Sequence, residues 1–416
     1  MMRSLFSAVS GLRTHQTRMD VIGNNVANVN TPGFKTGRVT FQEVFSQTLR
    51  GASSPSDTSA GARGGVNPMQ VGLGVTTASI DTNHTPGNLQ PTSRMTDVAI
   101  EGSGFFVVQD GSTPTFTRVG AFDTDGHGVL VDADGRKVLG WTADATGLLP
   151  IHKTDDLMSP IKIAIGSNMP AQATTLITWD KNLDSQAVAG TVKSSPVTVF
   201  DSQGATCAVN IMFLKTANPN EWTWTAAGPT GITGDGVLTF DADGSLVSAT
   251  GTAGTTPPAF SFAPAGVNPV AVELVFDNVT QVAGPSTIAS PVVNGCSTGT
   301  LESYTFDSKG VISGFYSNGQ TRMLGQLAIA NFSNPGGLLK MGKSLYRQSN
   351  NSGAPDIGEA GTSGRGTIAP SSLEMSNVDL AEEFTQMIIT QRGFQANSRI
   401  ITVADELLHE LVSLKR

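Results

Sequence analysis

The chain has 416 residues, of which 38% are hydrophobic and only 14% charged, with a net charge of −8 and a pI of about 5.1. This length predicts about two or three domains, and the acidic balance argues against nucleic acid as a partner. No apolar run reaches the roughly 18 residues of a membrane span, so we expect no membrane insertion. The N-terminal residues also lack the apolar segment of a cleaved secretion signal.

The N-terminal segment has the pattern of an amphipathic helix. An apolar residue recurs every seven positions, and Ala8, Val9, Ile22 and Val29 fill the adjoining row. The repeating residues are Leu5, Leu12, Met19 and Val26. Such a stripe needs a second apolar surface, because an isolated amphipathic helix gains most of its stability from packing.

This helix is predicted to end in an asparagine-rich string, NNVANVNTPGFK. Asparagine tolerates the left-handed conformation at helix ends, and the Pro-Gly pair favours a turn. The string is defined by Asn24, Asn25, Asn28, Thr31, Pro32, Gly33, Phe34 and Lys35. Further along, Gly51 to Pro68 is rich in Gly, Ser and Pro, which predicts a flexible, extended linker.

From Met69 the pattern changes to β-strands. Apolar residues alternate with polar or small ones up to Ile80, and further strands are expected at 97–108 and 116–122. Three Asp-x-Asp-Gly turns begin at Asp123, Asp132 and Asp241 and match the start of a calcium loop. They lack its later oxygen ligands and flanking helices, so hairpin turns are the favoured interpretation.

Residues 142–298 form a block rich in Thr, Ala, Gly and Pro. Short strands at regular spacing predict a β-sandwich or barrel there. The predicted strands are Ile161–Ile165, Thr174–Trp179, Val197–Phe200, Ala208–Leu214, Trp222–Ala226, Val237–Phe240 and Ala271–Phe276. Strands at 304–312 and 322–332 and a second Gly-Ser-rich passage at 350–370 lead to the C-terminal segment.

The C-terminal segment predicts a second, longer helix. Ser376 and Asp379 resemble a capping box, and a helix from there to Leu414 is roughly 57 Å long. Its apolar residues recur every seven positions, while Glu383 lies off the stripe and is expected to be exposed. The stripe consists of Leu380, Met387, Phe394, Ile401 and Leu408, and a second, interrupted row consists of Phe384, Ile388, Ala404, Leu411 and Val412.

Two arrangements of these helices fit the pattern. The helices can pack together as an internal hairpin, or they can be polymerisation elements that are buried only on assembly. Pairing would hide one stripe on each helix, whereas the N-terminal helix also carries Phe6 and Val21 off its stripe. The sequence pattern alone leaves both arrangements open.

The two terminal motifs resemble those of a known family. NNVANVNTPGFK resembles the N-terminal signature of the rod and hook proteins of the bacterial flagellum, and LEMSNVDLAEEFTQMIITQRGFQANSRIITVADELL resembles their C-terminal module. The resemblance implies coaxial terminal helices that line a tube, an inner β domain and an inserted outer β domain. The expected fold class is therefore mainly β with long terminal α-helices in a nested, multidomain chain.

The resemblance divides the chain into four parts. It implies a helical polymerisation domain (residues 1–35 and 371–416), an extended linker (36–70), an inner β domain (71–144 and 299–370) and an outer β domain (145–298). In such polymers the linker lies along neighbouring subunits, and we expect residues 1–70 and 360–416 to be largely unfolded before assembly. The two seven-residue stripes are the predicted assembly interface.

Within the family, the inserted domain favours a hook protein over the shorter distal rod protein. The implied function is a structural subunit of a bendable tube, a universal joint between rod and filament with export cargo passing through its lumen. The implied partners are further copies of the chain, the distal rod protein, the hook cap, the hook–filament junction proteins and the flagellar export apparatus. The implied location is extracellular, after export without a cleaved signal.

The sequence carries no recognisable catalytic arrangement. The five histidines are scattered, no Ser-His-Asp context is recognisable, and we expect no metal, no cofactor and no enzyme activity. Two cysteines, Cys207 and Cys296, are too few for a disulfide framework, and the sequence does not decide whether they form a single bridge. The alternative from another class is a secreted β-rich adhesin or binding module with helical oligomerisation ends.

Overall fold

A computed structural model describes residues 2–55, 64–111, 113–144, 146–228, 232–262, 266, 268–288 and 291–414. Helix α1 spans Met2–Ala27 and helix α2 spans Leu380–Ser413. Between them the chain is almost entirely β, which confirms the predicted fold class. Over the residues that the structure describes, neither helix carries an apolar window long enough to cross a membrane.

The strands follow in chain order. They are β1 (Gly37–Glu43), β2 (Ser46–Arg50), β3 (Met69–Gly72), β4 (Val75–Thr82), β5 (Leu89–Pro91), β6 (Val98–Glu101), β7 (Phe105–Asp110), β8 (Thr113–Thr117), β9 (Asp123–Thr124), β10 (Leu130–Val131), β11 (Lys137–Thr142), β12 (Ser159–Pro160), β13 (Asn168–Met169), β14 (Leu176–Asp184), β15 (Val192–Phe200), β16 (Thr206–Lys215), β17 (Glu221–Ala227), β18 (Asp235–Phe240), β19 (Leu246–Thr250), β20 (Ala259–Phe262), β21 (Val270–Val282), β22 (Val292–Val293), β23 (Gly299–Phe306), β24 (Val311–Tyr316), β25 (Thr321–Leu327), β26 (Ile329–Asn331), β27 (Leu339–Gly342), β28 (Leu345–Arg347), β29 (Asp356–Gly358), β30 (Thr367–Pro370) and β31 (Ser372–Glu374).

The chain divides into two compact units. The first comprises residues 1–163, 305–313 and 323–416, and the second comprises residues 164–304 and 314–322. The second unit is thus inserted into the first, and the boundary passes through strands β23, β24 and β25. The predicted outer domain is residues 145–298, whereas the second compact unit begins at residue 164 and also includes residues 299–304 and 314–322.

In the first unit, the segment after α1 is a β-hairpin. Strand β1 pairs with β4, and β2 pairs with β3, both antiparallel, and Ser53 and Val66 form one further bridge. The expected linker, residues 36–70, contains β1 and β2 and the start of β3, whereas β4, the partner of β1, lies beyond residue 70. Residues 56–63, in the middle of the Gly-Ser-rich stretch, lie outside the described residues.

The core of the first unit lies on an antiparallel sheet with the order β25–β11–β7–β8–β28–β27. Strand β26 pairs with β7 and with β29 at one side. Aromatic rings dominate the core because Phe105, Phe116 and Phe332 meet edge to face, with Trp141 and Tyr346 in the same cluster. Two short ladders, β6–β30 and β5–β31, tie the C-terminal segment to this unit before α2 begins.

The second unit is built from two sheets that share one core. Strands β15 to β19 form an antiparallel sheet in sequence order, and β20–β21–β14–β22 form the other, in which β14 and β21 are parallel. Buried and exposed residues alternate along β15 and β16, as expected for sheets with one covered face. Trp179 stacks on Phe276 at 5.2 Å between ring centroids, inside a cluster with Trp222 and Trp224.

Some predicted elements differ from the structure. Ile161–Ile165 is not a strand: Ile161 and Ile163 are buried as core residues, and only Lys162 forms a single bridge, to Val129. The cap of α2 is Asp379 rather than Ser376, because the Asp379 carboxylate accepts the amides of Ala381 and Glu382. The missed strands β19 and β20 lie in polar, Gly-rich sequence where alternation is short.

Candidate assembly interface

The two helices of the first unit pack antiparallel along one seam. Near the end of α1, Asn25 donates from Nδ2 to Oε1 of Glu383 at 3.0 Å. One further turn along, Arg18 donates to the side-chain oxygen of Gln386. Glu383 is therefore half-buried and hydrogen-bonded, which corrects the expectation that it is an exposed, free charge.

The centre of this seam consists of small and polar residues. The buried residues are Ala8, Gly11, Thr14, Ile22 and Asn25 on α1 and Thr390 and Ala404 on α2. The threonine hydroxyls donate to backbone carbonyls of their own helix, Thr14 to Gly11 at 3.0 Å and Thr390 to Gln386 at 2.7 Å. These hydroxyls are thus satisfied without a partner from the other helix, and the seam buries little apolar surface.

None of the nine predicted interface residues is fully buried. Leu380 and Phe394 are exposed, at 40% and 39% of their surface. The others are half-buried, namely Leu5, Leu12, Met19, Val26, Met387, Ile401 and Leu408. The pairing of α1 with α2 leaves the two seven-residue stripes partly uncovered, and the most deeply buried positions belong to neighbouring rows.

Sequence analysis missed a further apolar face on α2. Ile389, Ile400, Val403 and Leu407 are spaced by three, four or eleven residues, which places them on one side of the helix, and all are exposed. Ile400, Val403 and Leu407 line an open groove of about 280 Å³ next to Ser4 of α1. The spacing of these apolar residues is visible in the sequence, but the seven-residue repeat predicts the adjoining row instead.

The rest of the unit adds more exposed apolar side chains. On α1 these are Met2, Phe6 and Val9, and on α2 they include Phe384, Ile388 and Val412. The β1–β4 hairpin exposes Val44, Phe45, Leu49, Met69, Val71 and Ile80, with Phe45 at 73%. Contiguous exposed apolar surface of this kind marks a protein–protein interaction site in a soluble chain.

The asparagine-rich string forms the junction between α1 and the β-strands. The Asn25 amide bridges to Gly37, donating to its carbonyl and accepting from its N–H, both at 2.9 Å. Asn28 donates to the carbonyl of Asn24, and Thr31 donates to Asn28. These side chains fix the turn in which the helix ends, as asparagine and threonine do at helix ends elsewhere.

The remaining residues of the string continue into the sheet. Gly33 adopts a left-handed φ of 67°, and a Cβ there would lie 3.0 Å from the backbone nitrogen of Val119. The Lys340 ammonium lies 5.6 Å from the centre of the Phe34 ring. Pro32, immediately before Gly33, is half-buried in the same turn.

Lys35, at the end of the string, belongs to a buried charged cluster. Its ammonium donates to Oε1 of Glu374 at 2.7 Å and to the carbonyl of Thr85 at 2.8 Å. Arg118 donates from Nε to the other oxygen of Glu374 at 2.8 Å. Burial alone would raise the pKa of Glu374, but Arg118 and Lys35 outweigh it and hold that pKa below its usual value. The cluster joins the chain just after α1 to the chain just before α2.

The acidic turns do not assemble a metal site. The Asp125 carboxylate accepts the amides of His127 and Val129, and the Asp132 carboxylate accepts those of Asp134 and Arg136. Across the described ranges, no group of three or more His, Cys, Asp or Glu side chains is placed to hold a metal ion. Cys207 and Cys296 are both free thiols.

Comparison with family models covers both ends and the middle of the chain. Residues 5–35 match the flagella basal body rod protein model, and residues 369–414 match the flagellar basal body rod FlgEFG protein C-terminal model. Residues 99–178 match the flagellar hook protein FlgE/F/G D1 domain, and residues 168–296 match the flagellar basal body protein FlaE D2 domain. The middle matches correspond to the β-rich part of each unit.

Full-length relatives decide the family. The chain is 43% identical to flagellar hook protein FlgE of Borreliella burgdorferi, and 43% identical to that of Treponema pallidum, with 100% of each chain covered in both alignments. The chain belongs to the flagellar hook protein family. It is therefore a structural subunit of the bacterial flagellar hook, which confirms the predicted function.

A solved hook protein has the same fold. The crystal structure of Helicobacter pylori flagellar hook protein FlgE2 aligns with a TM-score of 0.55 at 15% identity, covering 69% of this chain and 100% of that one. Within the hook subunit, the exposed helix faces and the exposed hairpin both belong to the unit that contains the chain ends. They are the candidate surfaces for contacts within the hook.

Proposed function

We propose that this hook subunit polymerises with copies of itself through the exposed apolar faces of α1 and α2, which form the innermost layer of the tube. The observation that carries the proposal is the composition of the seam. Pairing of α1 with α2 hides mainly glycine, threonine, asparagine and alanine, whereas Phe384, Ile388, Val403 and Leu407 stay exposed.

The energetic balance supports assembly through these faces. Fully burying one leucine, isoleucine or phenylalanine is worth about 1.5–3 kcal/mol, and each subunit brings many such side chains to its neighbours. The internal seam offers mostly small and polar contacts, so it contributes less per residue. The seven-residue stripes flank the seam and are proposed to complete the contact, with Leu5, Leu12, Met19 and Val26 on one helix and Leu380, Met387, Phe394, Ile401 and Leu408 on the other.

The exposed hairpin is proposed as a second contact between subunits. Phe45 and Met69 present apolar surface on a two-stranded ribbon with no third strand among the described residues. An uncovered apolar ribbon of this kind is marginal alone and is stabilised by packing on another surface. The polymerisation domain would then comprise residues 1–35 and 371–416, with the β1–β4 hairpin extending it to the neighbouring subunit.

The proposal extends to the place and partners of the tube. Family membership implies that the subunit is exported through the flagellar export apparatus without a cleaved signal and assembles outside the cell. The distal rod protein, the hook cap and the hook–filament junction proteins are its proposed neighbours at the two ends. The proposed role is that of a structural scaffold.

Electron microscopy of the purified full-length chain tests the proposal. At high protein concentration we expect hollow tubes of constant diameter, because each subunit carries the apolar faces that bind the next one. Discrete closed oligomers at every concentration would contradict the proposal, since a closed ring or dimer leaves no face for further addition.

A further inference from the structure

The seven-residue repeat leaves the relative position of the two helices undefined. Leu5, Leu12 and Met19 are equivalent by pattern, and so are Phe394, Ile401 and Leu408, so a shift by one repeat would bring similar residues together. Such a shift moves one helix by about 10 Å along the other. An irregular feature is needed to select one register, as in other helix pairs with regular repeats.

Two glycines in the seam supply such a feature. A Cβ added at Gly11 would lie 2.7 Å from Nδ2 of Asn397, and a Cβ added at Gly393 would lie 2.7 Å from the ring of His15. Each glycine therefore forms a notch that receives a side chain from the opposite helix. Real Cβ atoms essentially never lie within about 3.0 Å of another heavy atom, so any other residue at Gly11 must move the Asn397 amide out of the seam, and any other residue at Gly393 must move the His15 ring.

The two contacts are reciprocal. On α1 the notch at Gly11 and the inserted His15 are four residues apart, and on α2 the notch at Gly393 and the inserted Asn397 are also four residues apart. Four residues are about one helical turn, so both contacts lie on the same side of each helix. His15 is held further by Phe41 of β1, whose ring meets the imidazole edge-on at 5.6 Å.

We propose that these four residues, Gly11, His15, Gly393 and Asn397, are register-determining residues that set the axial position and close approach of α1 and α2. In any other register, His15 and Asn397 would meet a helix surface that carries Cβ atoms. These two reciprocal contacts, called the lock below, hold the exposed apolar faces of both helices in one relative position. This inference rests on the proposed function, because the relative position of the helices affects a measurement only through polymerisation.

The chain contains its own control for this lock. Gly23 is also in α1, and a Cβ there would meet no described atom within 4 Å. Glycine is the least favourable helix residue apart from proline. Replacing Gly11 or Gly23 by the same residue therefore improves local helix propensity equally, and only the change at Gly11 places a side chain in the seam.

The test measures the critical concentration for polymerisation of full-length variants by sedimentation. Gly11→Asn is expected to raise it at least about tenfold, the effect of one overpacked contact per subunit. Gly23→Asn is expected to stay within about threefold of the parent. The four tryptophans lie in strands β11, β14 and β17, so their fluorescence checks that the β units unfold as in the parent.

A double variant that exchanges the glycine and the inserted residue distinguishes an effect on helix register from a general loss of stability. Gly11→Asn combined with Asn397→Gly restores the contact in the opposite direction, so polymerisation is expected to return to within about threefold of the parent. Normal polymerisation of Gly11→Asn alone, or no recovery in the double variant, would overturn the lock. Failure of the parent chain itself to polymerise would instead contradict the proposed function.

Discussion

Lys35, Arg118 and Glu374 form a charged cluster from which solvent is almost excluded, with side-chain exposures of 0%, 3% and 0%. One carboxylate serves two cations and also accepts the amide of Gly87. Removal of its charge would leave two buried cations without a counter-ion, which costs far more than loss of an exposed ion pair. The cluster is therefore highly sensitive to the loss of this one charge.

Glu374→Gln is expected to lower the free energy of unfolding of the first unit by about 3 kcal/mol, because Lys35 and Arg118 stay buried without a carboxylate. Urea unfolding at neutral pH measures the change. Glu101→Gln, a change of the same type at an exposed position of β6, serves as the control and is expected to have little effect. Equal stability of the Glu374 and Glu101 variants would show that the cluster does not hold the junction.

A histidine next to this cluster predicts a pH dependence. Burial, together with Lys35, Lys340 and Arg118, lowers the pKa of His84 from 6.5 to about 4. The unfolded chain therefore binds a proton near pH 6.5, whereas the folded chain stays neutral at this site until about pH 4. Stability is lost as the pH falls through this window, by roughly 3 kcal/mol in total, and no further below it.

Replacement of His84 isolates this contribution. His84→Phe keeps a ring against Phe105 and Tyr346 and removes the titrating group. The difference in unfolding free energy between pH 7 and pH 4.5 should shrink in this variant, as measured by urea unfolding at both pH values. His127→Phe, at an exposed turn, is the control, and an identical pH dependence in parent and His84→Phe would contradict the assignment.

Sequence analysis identified Lys35 within a signature but not the cluster that it belongs to. Glu374 is 339 residues away from Lys35 in the chain, and 256 residues separate it from Arg118. Partners at that separation are set by tertiary packing, which local patterns do not record. Glu374 lies in the C-terminal motif that begins LEMSN, but its hydropathy pattern does not distinguish it from an exposed glutamate.

At the scale of elements, both helices were predictable and their contact was not. Their apolar periodicity and low glycine content predicted α1 and α2 with nearly correct ends. The same periodicity pointed to the seven-residue stripes, yet the residues buried between the helices include Gly11, Thr14 and Thr390. Apolar periodicity marks apolar surfaces, which are proposed to be buried in the polymer. It does not mark a seam of small and polar residues within one subunit.

The contacts of the terminal segments predict how far they are folded in a dilute subunit. Residues 1–70 and 360–416 were expected to be unfolded before assembly, but Lys35 and Glu374 lie in the buried cluster, and β30 and β31 pair with β6 and β5. Limited proteolysis is therefore expected to remove α1 and α2 first and to leave a protected core that still contains the cluster. Mass spectrometry of the fragments identifies its ends.

The alternative outcomes are distinct. Within strands β1 to β4, cleavage is expected to be slower than in α1, because these strands are paired. A core that begins near Met69 and ends before β30 would show that the cluster forms only on assembly. Helices that resist protease as well as the β sheets do would show that the polar seam is stable by itself.

At the scale of the whole molecule, the chain is nested, with one β unit inserted into another and the two termini paired in a helical seam. The order of β-rich segments was predictable because turns and alternation mark each strand. Strand partners such as the parallel pair β14 and β21 join residues about one hundred positions apart and were not predictable from one sequence. The surfaces proposed for polymerisation lie in the unit that contains both chain ends.

Val403→Asp places a carboxylate on the exposed apolar face of α2 through which the subunits are proposed to polymerise. Val403 is 52% exposed and lines the groove beside Ser4, so the change leaves the helix seam and the β units intact. In the polymer the same carboxylate would be buried in apolar surroundings without a partner, at a cost of several kcal/mol. Gln391→Asp, an exposed polar position of α2, is the control.

Sedimentation and electron microscopy of the full-length chain measure the outcome, with tryptophan fluorescence as a check on folding. Val403→Asp is expected to form no tubes at concentrations where the parent and Gln391→Asp polymerise, while all three unfold alike. Tubes of Val403→Asp at the critical concentration of the parent would show that this face of α2 does not carry polymerisation.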